Sequence, residues 1–145
     1  MRDWVVDASV GIKLFVVEDL SEAAEQLFRG LVEDPPSRLY VPDLFYLECA
    51  NILWKYVRRF GYPLEAARQD IEALSALALL PVSAADLLGP TLDLAVERGI
   101  TSYDASYAVL AKRLEVPLVT ADRPLIRKLE GSGVEVCWLG ALEGR

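Results

Sequence analysis

The chain has no histidine. Without imidazole there is no Ser-His-Asp or Cys-His nucleophile, no His-assisted acid–base cleavage of RNA, and no zinc site that uses imidazole. Cysteine is scarce. Cys49 and Cys137 are the only two, both in apolar contexts and without metal-binding spacing, and they read as buried thiols rather than a disulfide. Asn51, Gln26 and Gln69 are the only side-chain amides, a composition that hints at a thermophilic source. No apolar run reaches the length of a membrane span, and the N-terminus lacks a basic segment followed by a long apolar one. An intracellular, cytoplasmic protein is therefore expected. Any catalysis must fall to carboxylates, hydroxyls or a metal ion.

The composition is globular, 53% apolar and 26% charged, and 145 residues suffice for one domain, 1–145, with a genuine core. The net charge of −7 argues against nonspecific coating of nucleic acid. It does not exclude a nuclease, because bound divalent ions reverse the local field of a carboxylate cluster. It also suits a protein that docks a basic partner.

Short apolar strands alternate with helical segments. Residues 3–7, 39–41, 117–120 and 134–139 read as strands, and 77–82 as a strand with helix nearly as good a reading. Helices are expected over 9–15, from Ser21 as cap to about Glu33, from Asp43 to Arg59 with Gly61 as stop, and onward from Pro63. Further helices follow Gly89-Pro90 as far as Gly99, span 101–115, and run from Pro124 to about Glu130. Continuously apolar strands between helices imply a parallel sheet covered on both faces. Sites in such sheets lie beyond the carboxyl ends of strands.

Four acids stand where solvated surface is an awkward explanation: Asp7 after Trp4-Val5-Val6, Glu48 within an apolar helix, Asp104 in Thr101-Ser102-Tyr103-Asp104, and Asp122 after Leu118-Val119-Thr120-Ala121. Each has a plainer reading. Asp7 and Asp122 sit where helix caps or Asx turns belong, and Asp104 has capping-box spacing from Thr101. Glu48 shares a helix face with Asn51, Ile52 and Lys55, and an ion pair to Lys55 spans too many turns for direct contact. If the fold gathers the four, they repel one another and require a cation. An all-oxygen donor set selects hard ions, Mg²⁺ or Mn²⁺, as metal-assisted phosphodiester hydrolysis uses.

These segments resemble the motifs of the PIN-domain ribonucleases, especially the VapC toxins of toxin–antitoxin pairs. Val5-Val6-Asp7-Ala8-Ser9 is similar to the first motif, and Glu48-Cys49-Ala50-Asn51-Ile52-Leu53-Trp54 to the second. Tyr103-Asp104-Ala105-Ser106-Tyr107-Ala108-Val109-Leu110-Ala111 is similar to the third, and Leu118-Val119-Thr120-Ala121-Asp122 to the fourth. The resemblance covers nearly the whole chain and loses no acidic position. It implies a three-layer α/β/α fold with a parallel sheet of about five strands, and a Mg²⁺- or Mn²⁺-dependent endoribonuclease. By motif position Asp7, Glu48, Asp104 and Asp122 are the catalytic and metal-binding acids, with Ser9, Asn51 and Thr120 as supporting polar residues. It further implies a homodimer, silenced by a small basic-tailed antitoxin that enters the acidic groove.

Basic residues near the motifs are candidate RNA contacts: Arg123 foremost, then Lys13 and Lys55, with Arg58, Arg59 and Arg127 behind them. The plainer reading of most of these is solvated helix surface. Three other functions stay open. An aspartyl phosphatase is disfavoured because Asp7-Ala8-Ser9 lacks a second acid two residues on. A non-catalytic binding module is disfavoured by the intact acids. An RNA-processing nuclease without an antitoxin uses the same residues and is the closest rival.

Overall fold

The computed structural model describes residues 2–142. Five short strands form one parallel sheet: β1 (Trp4–Val6), β2 (Leu39–Pro42), β3 (Leu80–Val82), β4 (Leu118–Thr120) and β5 (Val136–Trp138). The helices are α1 (Ala8–Gly11), α2 (Ser21–Arg29), α3 (Leu44–Phe60), α4 (Leu64–Ala76), α5 (Leu88–Arg98), α6 (Ser102–Leu114) and α7 (Arg123–Lys128). Every residue of β1 and β4 is buried. Successive strand residues point to opposite faces, so both faces of the sheet are covered, which makes the three-layer arrangement expected from the apolar runs.

The strand order is β3-β2-β1-β4-β5. From β1 the chain steps outward to β2 and β3, then returns to the other side of β1 for β4 and β5. The order therefore reverses between β1 and β4, and a crevice opens at their carboxyl ends. The register pairs Val5 with Leu118 and Val6 with Val119. The N–H of Asp7 continues the ladder to the carbonyl of Val119 at 3.2 Å. Asp7 and the end of β4 thus meet because both strands stop at the same level.

Helix α3 reaches this crevice by close packing. A Cβ on Gly11 would stand 2.6 and 2.9 Å from ring carbons of Phe45, so only glycine lets α1 lie against α3. Phe45 and Cys49 are fully buried at that contact. Tyr107, Leu110, Leu39, Val5, Val6 and Leu118 fill the centre of the core.

Local expectations fail in five places. Ser21 does not cap α2. The chain enters that helix through Leu20 in a left-handed conformation (φ 70°), and the Ser21 hydroxyl accepts instead from the N–H of Glu18. The helix also ends at Arg29 and tightens into a 3₁₀ turn over Gly30–Val32, short of Glu33. Gly89-Pro90 lies inside the first turn of α5 rather than ahead of it, where a proline removes no helical bond. Residues 77–79 are a turn, and strand β3 occupies only the end of the apolar run at the sheet edge, where Pro81 is tolerated. Neither cysteine forms a disulfide; Cys49 is buried, whereas Cys137 is half-buried, not buried as expected.

Candidate active site

Asp7 is the centre. It is 6% exposed, and its Oδ2 accepts two hydroxyl hydrogens, from Ser9 at 2.7 Å and Thr120 at 2.8 Å. Each hydroxyl in turn accepts a backbone N–H, Ser9 from Ala121 and Thr120 from Asp122. With both hydrogens committed to Asp7, the 3.3 Å approach of Ser9 to Thr120 is proximity rather than a third bond. The two hydroxyls sew the end of β1 to the turn after β4. They also leave Oδ1 of Asp7 without a side-chain donor among the described residues. The carboxylate does not cap α1, so the plainer reading of Asp7 as an N-cap is not what its side chain does. Burial pushes its pKa above the ordinary carboxylate range, the Ser9, Thr120 and Ala8 bonds pull it back, and the charge of Asp122 adds to the rise.

Glu48 projects from α3 toward the same crevice. Its Oε1 accepts from the phenol of Tyr107 at 2.5 Å. Burial lifts its pKa to about 6, against the Tyr107 bond that lowers it, and the charges of Asp7 and Asp104 raise it further. No ion pair joins it to Lys55 among the described residues. Asp104, half-buried near the start of α6, is also lifted to about 6, by burial first and then by Asp7 and Asp122. Bonding to Thr101 and the charge of Lys128 act the other way.

Asp104 and Asp122 both stand at capped helix starts, with Thr101 as the cap of α6 and Asp122 itself as the cap of α7. Thr101 Oγ1 accepts from the N–H of Asp104 at the head of α6, and Asp122 Oδ1 accepts from the N–H of Leu125 at the head of α7. Capping sets where these carboxyls stand; it does not take them out of the crevice. The four acids are electrostatic neighbours: Asp7 is felt by Glu48 and Asp104, Asp122 by Asp7 and Asp104, and Asp104 by Glu48.

The donor set suits a hard cation. It is four carboxylates with hydroxyls behind them, no imidazole, and a buried thiol at Cys49 whose pKa is pushed up to about 12. As they stand, no three acidic or cysteine side chains among the described residues are arranged to hold one ion. Mg²⁺ asks for less, since it keeps several waters and is commonly held by one or two carboxylates.

The remaining expected residues divide. Asn51 and Lys55 are exposed on α3 and line, with Glu48, Leu44, Leu47 and Tyr103, a groove of about 610 Å³ beside the acids. No hydrogen bond ties Asn51 to the acids among the described residues. Lys13 faces a second cleft, which Asp122 and Arg123 also line, and it is paired with Glu18 at 3.4 Å. Arg58 and Arg59 are exposed in the last turn of α3, and Arg127 is exposed on α7. Tyr107 belongs to the site and was not anticipated. A tyrosine in the apolar run of α6 reads as core, and only its buried hydroxyl, which needs an acceptor, signals more.

Comparison with known proteins bears on the family and the fold. Residues 4–130 match the model of the PIN domain family. The chain is 38% identical to Ribonuclease VapC3 of Pyrobaculum aerophilum over 126 residues, 86% of this chain and 92% of that protein. It is 37% identical to Exonuclease VapC9 of the same organism over 95 residues, 66% of this chain and 70% of the other. Among solved structures, PAE2754 from Pyrobaculum aerophilum matches with a TM-score of 0.69 at 27% identity, covering 97% of this chain and 93% of that one. VapBC2 from Rickettsia felis, bound to a DNA fragment from their promoter, matches in fold with a TM-score of 0.65 at 10% identity, over 94% and 98%. On the match over 4–130 and the identity to Ribonuclease VapC3, the chain belongs to the PIN-domain family.

Proposed function

We propose that this chain is a Mg²⁺- or Mn²⁺-dependent endoribonuclease and the toxin of a toxin–antitoxin pair. The observation that carries the proposal is the crevice between β1 and β4, where burial and neighbouring carboxylates, Asp122 included, raise the pKa of Asp7, Glu48 and Asp104, and the only opposing charge among the described residues is that of Lys128, at Asp104. Oxygens of these four residues would hold the ion. When bound, a divalent ion of this kind acidifies water and offsets charge on the phosphate being cleaved.

The chain's own groups do the rest. Ser9 and Thr120 fix the Asp7 carboxylate through Oδ2 and leave Oδ1 for a cation. Tyr107 orients Glu48 and stays protonated, because burial and the charges of Asp7 and Glu48 all raise its pKa. A carboxylate of the four not fully engaged by the ion, with one oxygen left over, accepts the proton of the attacking water. Arg123, Lys13 and Lys55 flank the acids and meet the phosphates of the RNA strand.

The partners follow from charge. An acidic groove on a −7 chain favours a basic ligand, and a small antitoxin inserting Arg or Lys beside the four acids would occupy it with charge-assisted bonds. We read the active unit as a cytoplasmic homodimer of a single domain, 1–145. Among the described residues no helix is long and apolar enough to cross a membrane.

Because one relative is named a ribonuclease and another an exonuclease, the decisive substrate is a circular single-stranded RNA. An endoribonuclease linearises the circle with Mg²⁺ or Mn²⁺ and stops in chelator. Digestion of linear RNA alone would make the chain an exonuclease, and full activity in chelator would overturn the metal dependence.

A further inference from the structure

Among the described residues, one cation beside the acids is held by an aromatic ring and not by a carboxylate. Arg123 directly follows Asp122, and its guanidinium carbon lies 3.8 Å from the ring centroid of Trp138, flat-stacking range for a cation on an indole. Trp138 ends β5, where the register sets it beside Thr120. The ring also lies directly against the chain that follows it. A Cβ on Gly140 would stand 2.4 to 2.6 Å from three carbons of its six-membered ring, so the chain after β5 packs against the indole on that side with no space for a side chain between them.

Arg123 is exposed, and among the described residues no carboxylate pairs with it. Lys13, the other cation in this cleft of about 670 Å³, is engaged by Glu18. The five N–H donors of Arg123 face solvent and are open to a ligand, and the stack has already taken up part of the side-chain freedom that binding one would cost. A planar guanidinium suits a phosphate, through paired N–H donors, better than any other group that this acidic crevice has to accept.

Resting on the ribonuclease reading, we propose that the Arg123 guanidinium, held by Trp138 and Gly140, anchors the RNA phosphate adjoining the one that is cleaved. Arg123 is the contact residue. Trp138 and Gly140 are positioning residues that act through it. Stacking fixes the guanidinium plane in advance, so less freedom is lost when RNA binds.

The test is steady-state cleavage of a short single-stranded RNA with Mg²⁺, across a series of salt concentrations. Arg123→Ala should raise KM about fivefold or more with kcat little changed, as expected for loss of a charge-assisted bond outside the reacting centre. The slope of log KM against log salt should fall by about 0.7, the signature of one lost phosphate contact on a single strand. Trp138→Leu should raise KM with the slope kept, since the charge remains. Trp138→Phe should restore KM, and Gly140→Ala, which drives the ring from its seat, should copy Trp138→Leu. Arg123→Ala and Gly140→Ala keep the indole, so they test the anchor even where Trp138→Leu folds poorly. Unchanged KM and slope in Arg123→Ala overturn the anchor. A raised KM there with wild-type KM in folded Trp138→Leu and Gly140→Ala overturns the positioning roles. A wild-type protein that cleaves no RNA overturns the ribonuclease reading, and the anchor with it.

Discussion

Tyr107 and Glu48 lie 59 residues apart in the chain and share one hydrogen bond, from the phenol to Oε1 at 2.5 Å. The bond ties α6 to α3 across the floor of the acidic crevice. Tyr107 is fully buried, so its hydroxyl has no water to turn to, and Glu48 is the acceptor that satisfies it.

Replacing Tyr107 with Phe removes the one interaction that favours ionised Glu48. The Glu48 pKa should then climb above its value of about 6, and ion binding should demand more Mg²⁺ at mildly acid pH. Near pH 6.5 the half-activating Mg²⁺ concentration should rise by about tenfold, the scale of a hydrogen bond to a charged group. Raising pH or Mg²⁺ should recover activity. An Mg²⁺ requirement identical to wild type at every pH would dismiss the Tyr107 role.

The metal-free protein should lose stability as pH rises. Glu48 and Asp104 have folded pKa values of about 6 against ordinary values of 4.5 and 3.8. Between those limits the folded chain holds more protons than the unfolded one. The stability these groups contribute is fully present below the unfolded values and is lost as pH rises through about 6. Glu48→Gln cannot ionise and should escape its share, about 1 kcal/mol after allowance for solvent screening. Melting curves in chelator should show Gln gaining on wild type from about pH 4.5 to 7.5. A constant gap between the two would contradict the coupling.

Most of the candidate site's layout was legible in sequence because strand ends and helix starts announce themselves. Asp7 and Asp122 each close an apolar run, and a parallel sheet with its order reversed between those strands must bring them together. Asp104 was legible as the third position of a capping box, and in the structure its N–H is held by the Thr101 cap while its carboxylate is an electrostatic neighbour of Asp7. What sequence could not carry was pairing between distant elements. Nothing near Glu48 names Tyr107 as its donor, and nothing near Arg123 names Trp138 or Gly140. Ser21 misled because serine before an apolar helical stripe is the usual cap, whereas the left-handed Leu20 shifts the start and frees the hydroxyl for Glu18. The reach of α3 into the crevice depends on Gly11 against Phe45, a contact between residues 34 apart by their numbers that no periodicity encodes.

Asp7→Asn separates charge from shape. The Asn carbonyl can still accept from Ser9 and Thr120, so the seam between β1 and β4 should survive. The charge that would hold a cation is gone, and RNA cleavage should fall about 100-fold or more. In chelator the variant should melt at or above the wild-type temperature, because a buried member of a repelling group has been neutralised. A steep fall in melting temperature would assign Asp7 to structure instead.

Asp122→Asn offers the cleanest test of toxicity. Asn is as good an N-cap as Asp, so the bond from Leu125 and the start of α7 should persist. The substitution removes one negative charge from the crevice and leaves Arg123 on Trp138 untouched. Wild-type chain expressed without a partner should slow growth, and the Asp122→Asn chain, at equal abundance and melting temperature, should not. Co-expression of a cognate basic-tailed antitoxin should relieve the wild type, and charge reversal of its inserted Arg or Lys should abolish the relief. A wild-type chain that is harmless alone yet cleaves RNA when purified would move the protein from toxin to RNA-processing nuclease. The acids of the crevice would keep the same chemistry, and only the biological partner would change.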